Sequence, residues 1–199
     1  MGRYGCDAPR VLVEYMLRRY KEAFGEPDLL LFQGDHVTHG LSQYLPPPGN
    51  MTYYDILLDT LKDYAGMLND AFPNTMIVPI IGNNDNKFHN EGTTEEYRDS
   101  YYPYVYQLWF QNMTGNAALL SSQRIHDSFL SAGYYRVDIT DKITVLALDS
   151  MYWMSENDPQ YQANEAEEEM LWFESQLENG GDRKFIITCH EYAGTRYKD

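Results

Sequence analysis

One stretch decides the fold: Asp28-Leu29-Leu30-Leu31-Phe32-Gln33-Gly34-Asp35-His36-Val37-Thr38-His39. A short apolar run that ends at a glycine is typical of a strand buried on both faces of a parallel sheet. The polar residues begin at Asp35, where such a strand would end. The stretch therefore predicts a buried strand followed by a loop that can carry chemistry.

Two further stretches repeat this arrangement. Residues 75–81 are mostly apolar and precede the turn Gly82-Asn83-Asn84-Asp85, and residues 184–189 precede His190-Glu191. Ligands of open α/β sheets bind outside the carboxyl ends of the strands, so the three turns are expected to meet there.

Helical spacing of apolar residues separates these strands. It covers residues 8–24, 52–72 and 164–177, and Thr52 with Asp55 forms a capping pair at the start of the second helix. Alternation of buried strands with long helices predicts an α/β layered domain over residues 1–199.

The middle of the chain gives weaker signals. Residues 94–112 are aromatic-rich and predict a partial helix that Pro103 interrupts. Residues 132–139 and 143–148 predict a β-hairpin. In the last helix we expect Met170, Phe173 and Leu177 on one apolar face and the acidic run Glu165–Glu169 on a solvated face.

Composition narrows the function. The chain has 199 residues and a formal charge of −15, which repels nucleic acid and argues against a role on DNA or RNA. Neither a membrane-spanning apolar run nor a disulfide framework is present, since Cys6 and Cys189 are the two cysteines. The sequons at Asn50 and Asn112 fit a secretory route to the outside of the cell or to a lysosomal or vacuolar lumen.

The three turns offer a carboxylate, imidazoles and an amide oxygen, a mixture of oxygen and nitrogen ligands that suits zinc, manganese or iron. Each turn alone is compatible with an ordinary structural role. Their order, each at the end of a strand, favours a metal site.

This order resembles the calcineurin-like phosphoesterases, whose motifs include Gly-Asp, Gly-Asn-His-Asp/Glu and a later His. The resemblance is to the acid sphingomyelinase-like and endopolyphosphatase branch, and it covers nearly the whole chain. It is carried by these segments: Gly5-Cys6-Asp7-Ala8-Pro9, Gly34-Asp35 with His39, Gly133-Tyr134-Tyr135, Leu171-Trp172-Phe173 and His190-Glu191-Tyr192-Ala193-Gly194. It implies an incomplete four-layer α-β-β-α sandwich, with at least one central strand missing, and two divalent metal ions, of which zinc is the expected one.

The resemblance also implies roles. Asp35 would bridge two metals, Asn83 and His190 would bind one of them, and His39 would lie near the substrate or simply cap its loop. Two such metals would clamp phosphoryl oxygens and generate the attacking hydroxide.

Three departures from the family pattern matter. The Asp-x-His and Gly-His-x-His motifs would lie outside this sequence, so the chain as written is expected to hold an incomplete site and to turn over substrate poorly. Asn84 stands where the family has its catalytic His, and an amide donates a hydrogen bond but transfers no proton. His89 could replace that imidazole in part, or could be a solvated loop residue.

The resemblance implies a hydrolase of phosphate esters or anhydrides. Its substrate would be a phospholipid headgroup, a nucleotide or polyphosphate, and the first would bring the protein into contact with a membrane surface. The alternative is a non-catalytic fragment or pseudoenzyme that acts as a binding module.

Overall fold

The structure, a computed structural model, describes residues 2–44, 46–154 and 159–192. Within these ranges the strands form a two-stranded and a three-stranded sheet. The strands are β1 (Leu29–Phe32), β2 (Met76–Pro79), β3 (Tyr135–Asp138), β4 (Ile143–Ala147) and β5 (Lys184–Thr188). The predicted α/β class is confirmed, and two sheets with helices agree with the layered phosphoesterase fold that the resemblance implies.

In each sheet, one pair of strands is parallel, and the two carboxyl ends of that pair lie side by side. β1 and β2 are parallel, with Leu29 opposite Met76. β4 pairs antiparallel with β3, which confirms the predicted hairpin, and parallel with β5. The turns after β1, β2 and β5 therefore follow strands that are each parallel to a neighbour.

The helices occupy the connections between the strands. They are α1 (Arg10–Phe24), α2 (Leu41–Tyr44), α3 (Tyr53–Ala71), α4 (Glu95–Tyr106), α5 (Gln123–Ala132) and α6 (Pro159–Glu178). α3 begins at the predicted capping box, in which Thr52 and Asp55 exchange hydrogen bonds. Its residues Leu57, Leu61 and Leu68 recur on one face and are buried against the core.

In the middle of the chain, one prediction is wrong and one helix was not predicted. α4 continues through Pro103 and ends in a π-helical turn at Gln107–Gln111, because the aromatic side chains around the proline are buried and hold the turn in place. α5 was absent from the predicted elements, although Ile125, Phe129 and Ala132 repeat at helical spacing and are buried.

The core is dominated by aromatic rings. Phe129 contacts Trp109, Phe110 and Tyr135, with ring centroids 5.3 to 5.7 Å apart. Tyr135 on β3 also donates a hydrogen bond of 2.5 Å to the carbonyl of Pro79 on β2. This contact joins the two sheets, so it fixes the edge of one relative to the other.

The predicted faces of α6 need correction. Met170 and Leu177 are 38% and 39% exposed, whereas Glu169 is fully buried and Trp172 packs against Tyr134. The acidic run was expected to be solvated because periodicity reports spacing and not the donors that meet a helix face. Here the carboxylate of Glu169 accepts hydrogen bonds from the backbone N–H of Asp149 and the indole N–H of Trp153.

Other expectations concern single residues. Cys6 and Cys189 are both unpaired; Cys6 is exposed and Cys189 is half-buried. In the described ranges we find no helix that is long and apolar enough to cross a bilayer.

Candidate functional site

The turns after β1 and β2 are in backbone contact. A Cβ on Gly34 would lie 2.6 Å from the backbone nitrogen of Gly82, and a Cβ on Gly82 would collide with the backbone of Asp35. Gly34 and Asp35 both have a positive φ, 81° and 54°, and for Asp35 that left-handed conformation costs about 1–2 kcal/mol. The strain turns the Asp35 carboxylate toward the second turn.

A buried hydrogen-bonded pair, His36 and Asp85, ties the same two turns together. The carboxylate of Asp85 is 2.7 Å from Nδ1 of His36, and it accepts hydrogen bonds of 2.8 to 3.1 Å from the backbone N–H groups of His36, Val37 and Gly82. Burial raises the pKa of Asp85, but the charge and hydrogen bond of His36 and the backbone donors outweigh it and hold the pKa below its ordinary value. The sequence placed both residues in the turns but gave no sign that they pair with each other.

The imidazole of His36 lies among aromatic rings. Its centroid is 4.8 to 5.6 Å from those of Phe32, Tyr64 and Trp109, and its Nε2 finds no hydrogen-bond partner in the described ranges. The polar contact of this side chain is therefore the one with Asp85.

The structure brings together the three residues predicted as metal ligands. Nε2 of His190 is 2.9 Å from Oδ1 of Asn83 and 3.4 Å from Oδ1 of Asp35. Nδ1 of His190 is 2.6 Å from the carbonyl of Gln33, to which it donates, so the lone pair on Nε2 faces the other two residues.

The contacts of Asn83 test whether these residues suit a cation. Its Oδ1 is 2.9 and 3.2 Å from the two carboxylate oxygens of Asp35, so acceptors face acceptors. A proton on His190 would leave those contacts unsatisfied. A cation between the groups would satisfy all of them, as would reversal of the amide, which lets Nδ2 donate to Asp35.

With the amide reversed, its Oδ1 would accept from an Nε2–H tautomer of His89 at 3.0 Å. With Oδ1 inward, the outward Nδ2 instead donates to Nε2 of the other tautomer of His89 at 3.0 Å and to Oδ1 of Asn90 at 2.8 Å. In this orientation the donor set fits a divalent cation. No group of three or more His, Cys, Asp or Glu residues that could hold a metal occurs in the described ranges. The roles of Asp35, Asn83 and His190 as ligands stay predictions.

The side chain of Asn84 is buried and holds Asp35. Its Nδ2 donates to Oδ2 of Asp35 at 3.0 Å, and its backbone N–H donates to Oδ1 at 3.1 Å. The amide predicted to stand at the leaving group thus fixes the carboxylate that faces Asn83 and His190.

His39 lies on the other side of Asp35. Its Nε2 is 4.0 Å from Oδ2 of Asp35, and its Nδ1 is 2.8 Å from Asp7. Asp7 also accepts from Thr38 at 2.5 Å, and the hydrogen bonds of Thr38 and His39 hold the pKa of Asp7 below its ordinary value. Asp7 came to notice in the sequence only as part of a motif, and its role as the partner of His39 was missed.

A cavity of about 590 Å³ opens beside Asp35 and His39. The start of α1, the loop at Pro48–Met51 and α3 form its other walls, and Asp7, Asp59 and Asp63 add carboxylates to a mainly apolar lining. A larger cleft of about 700 Å³ lies between α1 and α3, away from Asp35. The smaller cavity is the one that borders the residues at the strand ends.

Two buried acids lie close together, Asp149 just after β4 and Glu169 on α6. Asp149 is buried, and its N–H donates to Glu169 at 2.7 Å, while Nε1 of Trp153 donates to Glu169 at 3.0 Å. Burial raises the pKa of Asp149 to about 7. Burial and the charge of Asp149 also raise the pKa of Glu169 well above its ordinary value.

The chain is similar in sequence to known proteins. The chain is 26% identical over 190 residues to sphingomyelinase phosphodiesterase D of Dictyostelium discoideum, covering 94% of this chain and 38% of that protein. It is 27% identical over 187 residues to endopolyphosphatase of Saccharomyces cerevisiae, covering 87% of this chain and 26% of that protein. With acid sphingomyelinase-like phosphodiesterase 3b of Homo sapiens it shares 26% identity over 108 residues, 54% of this chain and 22% of that protein.

The chain spans less than two-fifths of the length of these relatives. The sequence profile of the calcineurin-like phosphoesterase family matches residues 7–198, nearly the whole chain. The turns that follow β1, β2 and β5 lie inside the matched region. The chain therefore belongs to the calcineurin-like phosphoesterase family.

Proposed function

We propose that residues 1–199 form part of a metal-dependent hydrolase of phosphate esters, in which Asp35, Asn83 and His190 bind a divalent cation. One observation carries the proposal: the lone pairs of these side chains converge with separations of 2.9 to 3.4 Å. Members of the family generally bind divalent metals. A mixed nitrogen and oxygen set suits zinc, manganese or iron, and we propose zinc.

Asp35 is proposed to bridge a second cation. The backbone N–H and the side-chain amide of Asn84 each donate to one oxygen of the Asp35 carboxylate. The carboxylate is thereby oriented with Oδ1 close to Nε2 of His190. Bound divalent cations would neutralise charge on phosphoryl oxygens and activate water for attack.

The surrounding residues prepare this site. The pair of Asp85 and His36 keeps the two turns in contact, and Asn84 orients Asp35. Asp7 accepts from His39, which leaves Nε2 of that ring directed at the space between Asp35 and the cavity. We propose that His39 contacts the phosphoryl group of the substrate there.

The cavity favours one class among the candidate substrates. The names of the relatives include sphingomyelinases and endopolyphosphatases. Four carboxylates line the cavity, Asp7, Asp35, Asp59 and Asp63, and of these Asp63 is paired with Arg10. A polyanion would be repelled by this excess of acids and by the net charge of −15. We therefore propose a phosphodiester with an apolar or cationic group over polyphosphate or nucleotides.

We further propose that the protein works outside the cell or in an acidic lumen. Both sequon asparagines, Asn50 and Asn112, are exposed and accessible to glycosylation. A buried Asp149 with a pKa of about 7 is neutral in an acidic compartment.

Calorimetric titration with Zn²⁺ tests the metal site, together with hydrolysis of bis(p-nitrophenyl) phosphate. Loss of a contact behind a metal ligand typically lowers the affinity by about 10–100-fold. Replacement of a ligand itself, in Asp35→Asn or His190→Ala, should therefore lower the Zn²⁺ affinity by about 10²-fold or more. His126→Ala, an exposed histidine away from the cluster, is the control and should bind as the parent does.

Equal Zn²⁺ affinity in all four proteins would contradict the proposal. Metal and phosphate binding without turnover would instead favour the binding module. That second reading is supported by Asn84, whose amide donates to Asp35 and transfers no proton.

A further inference from the structure

The segment after β2 folds back on the residue with which its turn begins. The N–H of Asn90 donates to the carbonyl of Asn83 at 3.1 Å, and Asn90 has a positive φ of 67°. The side chain of Asn83 is held by the same segment, through His89 at 3.0 Å and Asn90 at 2.8 Å. Both the main chain and the amide of Asn83 are therefore fixed by residues six and seven positions later.

This contact involves the end of the amide that faces away from Asp35 and His190. An amide has a donor end and an acceptor end of nearly the same shape. Toward the cluster, Oδ1 would suit a cation, while Nδ2 would suit the bare carboxylate of Asp35. When a cation draws Oδ1 inward, the outward Nδ2 needs acceptors, and Nε2 of an Nδ1–H imidazole at His89 and Oδ1 of Asn90 are in place to supply them.

We infer that His89 and Asn90 are positioning residues that present Oδ1 of Asn83 to a divalent cation. They do so because the lone pairs of His89 Nε2 and Asn90 Oδ1 draw the Nδ2 group outward. The inference rests on the proposed function, since it concerns the same site. It gives His89 a role different from the proton donor considered from the sequence.

Replacement of the outer acceptors should therefore weaken metal binding while the protein stays folded. Asn90→Gly removes the acceptor and keeps a residue that tolerates the positive φ. Asn90→Asp keeps an acceptor that cannot become a donor, and aspartate also tolerates this conformation. His89→Phe removes the other acceptor from an exposed position, and His126→Phe is its matched control elsewhere on the surface.

Zn²⁺ affinity is measured by calorimetry, and the Tm of chelator-treated protein is measured in parallel. Asn90→Gly and His89→Phe should each lower the affinity by about 10–100-fold, the usual effect of losing a contact behind a ligand. Asn90→Asp and His126→Phe should bind at least as tightly as the parent. The Tm without metal should differ little among the variants.

Parent-like affinity in Asn90→Gly and His89→Phe would overturn the inference while the metal site stands. Equal losses in Asn90→Gly and Asn90→Asp would also overturn it, because the acceptor would then be irrelevant. A folded parent that binds no Zn²⁺ would overturn the proposed metal site, and this inference with it.

Discussion

Asp85 lies in the turn after β2 and Asp149 lies just after β4, and both are buried, with 0% and 1% exposed. The groups that surround the two carboxylates differ. Asp85 meets the imidazole of His36 and three backbone N–H groups. Asp149 meets the backbone N–H of Met151 and the hydroxyl of Tyr102, with the acid Glu169 beside it. The pKa of the first is lowered, and that of the second is raised to about 7.

The difference teaches that burial alone does not set the charge of an acid. Desolvation is the largest influence on the pKa of both residues, and it raises both. Only Asp85 has a basic partner and enough donors to overcome it. The two regions are also coupled, because the charge of Asp85 adds to the raised pKa of Asp149.

The largest effect is expected from breaking the first region. Asp85→Ala removes the acceptor of three backbone N–H groups and leaves His36 buried without its partner. Loss of one member of a buried pair typically costs about 3–5 kcal/mol of unfolding free energy. Urea unfolding of the parent and the variant measures it.

The control is Asp63→Ala, which removes an acid from an exposed ion pair with Arg10. Exposed pairs contribute about 0–1 kcal/mol, so this variant should unfold almost as the parent does. Similar losses in both variants would show that Asp85 is no more important than a surface acid.

The second region should make stability depend on pH. The pKa of Asp149 is raised from an unfolded value near 4 to about 7, so the unfolded state loses its proton first as pH rises. The contribution of Asp149 to stability should be full below about pH 4 and should fall by a few kcal/mol up to about pH 7. Asp149→Asn cannot ionise, so its unfolding free energy should change less over this window.

Urea unfolding at several pH values between 4 and 7 measures this dependence. The titratable groups around Asp149 come from several elements: Glu169 from α6, Tyr102 from α4 and Tyr152 after β4. Arg98, which pairs with Glu165, acts on Tyr152. Asp127→Asn, at an exposed position, is the control and should keep the parent's slope. A variant Asp149→Asn with that same slope would count against the titration of Asp149.

The smallest effect is expected for a third acid, which sharpens the comparison because it is partly exposed. Asp7→Ala should change the unfolding free energy by about 1 kcal/mol or less, since water can replace a partly exposed hydrogen bond. It should instead alter the imidazole of His39, whose Nδ1–H tautomer Asp7 favours. The ¹⁵N chemical shifts of the ring, measured where the ring is neutral, report which nitrogen carries the proton.

In the parent the shifts should place the proton on Nδ1, and in Asp7→Ala they should move toward the Nε2–H tautomer. His126, which lies beside Asp127, gives an internal reference in the same spectrum. Unchanged shifts of His39 in the variant would mean that Asp7 does not set its tautomer.

How much the sequence could predict differs between the edge of the sheet and its surroundings. The strands that end at Asp35, Asn83 and His190 were predictable because an apolar run and a polar turn are local signals. The capping box at Thr52 and the hairpin were predictable for the same reason.

Contacts between distant residues were not predictable. Asp85 meets His36 across 49 positions and Asp7 meets His39 across 32, and nothing local announces either pair. Glu169 belongs to an acidic run that resembles a solvated face, but Trp153 and the backbone of Asp149 reach it from another element. Sequence reasoning found the residues at the strand ends and missed those that hold them in place.

The contact between Gly34 and Gly82 has a practical consequence for directed evolution. Each position lacks room for even one added carbon, because the backbone of the other turn occupies that space. A library that varied these two glycines would consist mainly of misfolded proteins. Diversity is better placed at Thr38, Met51 and Asp59, which line the cavity without touching that contact. The substrate range could then change while the geometry that gathers Asp35, Asn83 and His190 is preserved.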